Sequence, residues 1–185
     1  MAESRPLKTF LYRGVPVLGF SAYSGSGKTT LIRKLIPKLI ERGKRPAIIK
    51  HTHHAFDIDY PGKDSYELRM AGANQILVGS GKCWAMVVET PSNNEPQLAD
   101  FLQQIDVVAT DVILVEGFRE VQFPKIEVHR SKLQKPLFYP HDPCVIAIVT
   151  DVVERHKRHL LTIEIDHTAD IADLIVDYCT TALNP

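Results

Sequence analysis

Short apolar runs alternate with helical patterns along this chain. Val15-Pro16-Val17-Leu18-Gly19-Phe20-Ser21 is apolar without alternation, as in a strand buried on both faces. From Thr29 to Arg42 the pairs Leu31/Ile32, Leu35/Ile36 and Leu39/Ile40 recur every fourth residue, which places them on one helix face. Pro37 falls inside that pattern and is expected to kink the helix rather than abolish it. Further strands are predicted at 47–49, 75–78, 84–88, 112–115, 125–129 and 145–149. Short helices are predicted around 65–71 and 96–105. A last helix is predicted from about Thr168 to Ala182, with the stripe Ile171, Leu174, Ile175 and Tyr178 and with Asp170 and Asp173 in its first turns. Continuous apolar strands interleaved with helices indicate an α/β fold with a mostly parallel sheet covered on both faces.

The bulk composition changes this picture little. At 185 residues the chain is one domain's worth of protein, and residues 1–14 read as a flexible or peripheral segment. Basic and acidic residues balance at 22 each, which leaves no charge surplus for binding nucleic acid or a membrane surface. Cys83, Cys144 and Cys179 form no CxxC pair, and each lies in or beside an apolar run, so all three are expected to be buried and reduced. With no secretory h-region and no membrane-length apolar stretch, a cytoplasmic protein is expected.

The chemistry gathers at the first strand-to-helix turn. Ala22-Tyr23-Ser24-Gly25-Ser26-Gly27-Lys28-Thr29, followed by Thr30, carries the phosphate-loop pattern, with Ala22 where the strict form has glycine. The glycines let backbone N–H groups turn toward phosphate oxygens, and the helix N-terminus adds partial positive charge. Lys28 would reach the β- and γ-phosphates, and the Thr29 hydroxyl would bind Mg2+. Such a site needs an acid at a neighbouring strand end. Glu116 closes the run Val112–Val115 and is assigned with Thr29 to the metal, and with Lys28 to catalysis. The expected fold is therefore a P-loop NTPase-type three-layer sandwich in a single nucleotide-binding domain.

Two further segments reach the same edge. Lys50-His51-Thr52-His53-His54 leaves the second strand and continues to Asp57, Asp59, Lys63 and Asp64. A switch-like loop touching the γ-phosphate or the metal's waters and a purely structural charged loop are both open readings, while the spacing offers little support for zinc. Thr150-Asp151 ends a late strand, where Asp151 could accept guanine's N1–H and N2–H2; no Asn-Lys-x-Asp signature accompanies it.

The ordered segments Gly25–Leu31, Ile49–His54, Asp57-Ile58-Asp59, Pro61–Ser65, Arg69-x-Ala71-Gly72-Ala73 and Ile113–Phe118 resemble the MobB family of molybdopterin-guanine dinucleotide biosynthesis adaptors. The resemblance spans about residues 15–180 and implies GTP and Mg2+ as ligands, weak hydrolysis and a homodimer. It also implies assistance to a MobA-type nucleotidyltransferase that attaches GMP to molybdopterin, and to molybdopterin-handling proteins. A small-molecule or nucleoside kinase and a metallocentre-loading GTPase are the competing readings of the same loop.

Overall fold

A computed structural model describes residues 9–52, 58–90, 95–153 and 160–184. These residues fall into two compact units, one formed by 1–51 with 98–185 and the other by 52–97. One domain's worth of chain thus carries two units.

The larger unit is built on a seven-stranded sheet. β1 (Leu11–Tyr12) runs antiparallel to the start of β2 (Val15–Ser21), with Leu11 opposite Pro16. The other strands are β3 (Pro46–Lys50), β6 (Val112–Glu116), β7 (Lys125–His129), β8 (Val145–Thr150) and β9 (Leu161–Glu164). They lie parallel in the order β3-β6-β2-β7-β8-β9, so the strand entering the phosphate loop is central. Alternate residues of β2 feed two cores. Leu18 and Phe20 join residues of α1 (Lys28–Glu41) and α4 (Thr168–Leu183), whereas Val15 and Val17 join Leu98 and Leu102 of α3 (Leu98–Leu102). Helices therefore cover both faces, the layering that two-sided burial of a parallel sheet requires.

Tyr178 of α4 fastens this arrangement. Its buried hydroxyl donates to the Val17 carbonyl at 2.8 Å and accepts the Phe10 N–H at 3.1 Å. The described part of the N-terminal segment, 9–14, is thus anchored rather than peripheral. Helix α1 runs through Pro37 as a single element. Asp173 lies beyond the first turn of α4 and pairs with Arg42 at 2.6 Å, tying α4 to the chain just after α1.

The smaller unit contains α2 (Asp64–Met70) and an antiparallel pair, β4 (Gln75–Gly79) and β5 (Trp84–Val88). Their apolar runs resemble those of the main sheet, yet among the described residues they pair only with each other. Cys83 sits in the turn between them and is exposed, against expectation, because Ser80 and Cys83 close a tight hairpin with both flanks in solvent; Cys144 and Cys179 are buried. Arg69 bridges Asp59 and Glu89 at 2.8 and 2.7 Å inside this unit. No described helix is long and apolar enough to cross a membrane.

Candidate functional site

The phosphate loop occupies 22–27, between β2 and α1. Ser26 closes it by donating from its hydroxyl to the Tyr23 carbonyl at 2.8 Å. Gly25 and Gly27 take φ values of 79° and 84°, in the left-handed region where glycine carries no side-chain penalty. Helix α1 begins at Lys28 with no side-chain cap and no acidic residue in its first turn. A helix N-terminus left this way presents its N–H groups and dipole to an arriving anion. The cavity above it, about 480 Å3, is lined by Tyr23, Ser24, Gly25, Ser26, Gly27, Lys28, Thr29, Thr30 and Glu116.

The sheet register brings Glu116 here. Phe20 and Lys50 both stand opposite Glu116, so the ends of β2, β3 and β6 meet at one edge. The Thr29 hydroxyl donates to Glu116 Oε1 at 2.8 Å, and Lys50 Nζ lies 3.9 Å from the same oxygen. Burial pushes the Lys28 ammonium below its ordinary value. Glu116 opposes that shift, while the charges of Lys50 and Arg119 add to it. The cradle thus concentrates positive charge, which phosphate would neutralise.

After Glu116 the chain turns through two left-handed residues, Gly117 (φ 115°) and Phe118 (φ 52°). The Phe118 ring stacks on His51 with centroids 4.4 Å apart, and Phe101 meets both edge-on. The His51 N–H donates to the Glu116 carbonyl at 2.8 Å. His51 therefore borders the acid and braces the turn behind it with its ring.

The other expected residues divide. Asp59, Lys63 and Asp64 belong to the smaller unit, where Asp59 is paired with Arg69 and the Lys63 ammonium lies over the Tyr60 ring. His53, His54 and Asp57 lie outside the described residues. Among the described residues no group of three or more His, Cys, Asp or Glu is placed to hold a metal ion. Asp151 follows β8, two strands from β2. Its carboxylate accepts the Ser131 N–H at 2.9 Å and lies 4.0 Å from Arg130. Burial pushes this carboxyl up, but the Ser131 hydrogen bonds and the Arg130 charge hold it below the ordinary value. Sequence reading passed over Lys50 and Arg119 as site residues. The parallel pairing of β3 with β6 is the signal that could have found Lys50.

A central strand, an uncapped helix start with Lys28 and Thr29, and an acid on the adjacent strand define a P-loop protein of the nucleotide-binding α/β class. The family model described as Molybdopterin guanine dinucleotide synthesis protein B matches residues 17–151. The chain belongs to that family, MobB. It is 45% identical over 165 residues to the molybdopterin-guanine dinucleotide biosynthesis adapter protein of Escherichia coli, covering 89% of this chain and 93% of the relative. It is 43% identical over 171 residues to the protein of that name from Haemophilus influenzae, covering 91% and 92%. A crystal structure of molybdopterin-guanine biosynthesis protein B shares the fold, with a TM-score of 0.68 and 24% identity over 87% of this chain and 98% of that one.

Proposed function

We propose that this chain is a cytoplasmic adapter of molybdopterin guanine dinucleotide biosynthesis that binds GTP with Mg2+ and hydrolyses it weakly. The observation that carries the reading is the 2.8 Å hydrogen bond from Thr29 to Glu116 at the mouth of an uncapped helix. A hydroxyl and a carboxylate of this kind are hard oxygen donors, the set that suits Mg2+. Thr29 and Glu116 would hold the ion, which supplies charge neutralisation between the phosphates. Lys28 and the N–H groups of the loop bind phosphate oxygens, and Lys50 balances Glu116.

The homodimer is supported by the smaller unit. On β4 and β5 the register puts Leu77, Trp84 and Val88 on one face, with Leu77 and Trp84 each 69% exposed. A two-stranded hairpin is marginal alone, and an apolar face of this kind is a contact surface in want of a partner. A second copy of the chain is the partner proposed for it. The MobA-type nucleotidyltransferase and molybdopterin-handling proteins are the partners that follow from the adapter role.

Calorimetric titration with GTP, GDP and ATP tests the nucleotide reading. Lys28→Ala should weaken both guanine nucleotides by about tenfold or more, the worth of one charge-assisted phosphate contact. Glu116→Gln should bind GTP with a reduced dependence on Mg2+. Tight ATP binding without GTP binding would reject the proposal.

A further inference from the structure

Beside the phosphate cradle lies a larger cavity of about 610 Å3, and Tyr23 lines both. That volume falls inside the range of small-molecule sites, roughly 300–1,000 Å3. One wall is aromatic: the rings of Tyr23 and Phe138 stack with centroids 4.4 Å apart. The guanidinium of Arg119 lies 5.1 Å from the Phe138 centroid. The wall is held from beneath by β7. Glu127, buried in that strand, accepts the N–H groups of Phe138 and Tyr139 at 2.8 and 2.9 Å. Lys125, two residues earlier, bonds Asp142 at 3.0 Å. Buried charges in the middle of a parallel sheet are costly unless paired, and here each is spent on fixing the 138–142 loop. The cavity is therefore preformed.

Its two cations differ in availability. Lys125 is 2% exposed and locked against Asp142. Arg119 is half exposed, and its carboxylate partner, Glu120, is its chain neighbour and 84% exposed. An ion pair in that setting is weak, so an incoming anion can displace Glu120. The planar guanidinium matches phosphate in a two-point contact. Arg119 also comes directly after the Glu116-Gly117-Phe118 turn, so the cavity it lines follows in the chain from the acid that lines the phosphate cradle.

We propose that this cavity binds a second ligand, a planar heteroaromatic compound carrying a phosphate, with its ring on the Tyr23–Phe138 wall and its phosphate on Arg119. The proposal rests on the adapter function above and identifies the ligand with the pterin-phosphate half of the dinucleotide. The same chemistry could come from the guanine nucleotide itself reaching round Tyr23.

Calorimetric titration of the full chain with neopterin monophosphate, alone and with saturating GDP and Mg2+, separates the two sources. Equimolar binding that persists with GDP is expected. Arg119→Ala should weaken it by about tenfold or more, with Arg119→Lys restoring only part. Phe138→Leu should also weaken it while keeping GDP affinity within roughly twofold, and the Arg119 variants should keep the wild-type circular dichroism spectrum and thermal midpoint, which shows that they are folded. The proposal is overturned if the wild-type chain binds GDP but not neopterin monophosphate, if GDP displaces it, or if Arg119→Ala has no effect. Loss of GDP affinity in Phe138→Leu, with no binding of neopterin monophosphate, would assign the cavity to the nucleotide's own base. Absence of guanine nucleotide binding would instead defeat the nucleotide reading of the proposed function, and the titration without GDP would still decide the second site.

Discussion

Gly117 occupies a backbone position that few other residues could take. Its φ is 115°, and a Cβ there would stand 2.8 Å from the His51 Cβ and 3.1 Å from the His51 carbonyl oxygen. Gly117→Ala should therefore cost about 1–3 kcal/mol of stability, the usual size of such strain, measured as a fall in the denaturant midpoint. Because Glu116 immediately precedes it, the variant should also bind GTP with altered Mg2+ dependence. Glu116 was legible in the sequence because an acid ending an apolar strand faces the edge where the phosphate loop opens. His51 was legible only as polar chemistry. Its stacking on Phe118 depends on a contact across 67 residues, and no local pattern announces a histidine used for its ring face. Arg119 was hidden for a different reason: its direction follows from two left-handed residues in succession, one of them a phenylalanine.

Among the elements, α4 shows both what periodicity reveals and what it misses. The stripe through Ile171, Leu174, Ile175 and Tyr178 predicted the buried face correctly. It did not reveal that the Tyr178 hydroxyl serves two backbone groups at the head of the sheet. Tyr178→Phe should cost about 1–2 kcal/mol in equilibrium unfolding, since a buried carbonyl and a half-buried N–H lose their partner. Burial also pushes this phenol up to about 12 from an ordinary 10, and the Cys179 thiol beside it up to about 11. Both groups favour the neutral form in the folded state. Their contribution is complete below the ordinary values and is lost as pH rises through the raised ones. Alkaline unfolding between about pH 10 and 12 should thus be shallower in Tyr178→Phe, with Cys179 accounting for part of what remains. The short edge strands β1 and β9 escaped sequence reading, because two to four half-exposed residues carry too little pattern.

At the scale of the whole molecule, the parallel sheet was readable from apolar runs, whereas the separate identity of 52–97 was not. Hydrophobicity alone does not distinguish a strand buried in a sheet from one whose apolar face is exposed. The proposed dimer makes that distinction measurable. Replacing Leu77 and Trp84 together by lysine should convert a dimer to a monomer in analytical ultracentrifugation, with GTP binding retained. A wild-type chain that sediments as a monomer at all concentrations would remove the hairpin from consideration.

The central place of β2 also bears on how the protein is made. The strand is synthesised early, yet its neighbours in the sheet are β6 and β7, and its last backbone partner is Tyr178. The chain must be made through Glu116 before the phosphate loop has its full lining, and through β7 before the strand has both parallel neighbours. Until then a largely apolar strand lacks its parallel neighbours, which is the condition under which chaperones bind and aggregation begins.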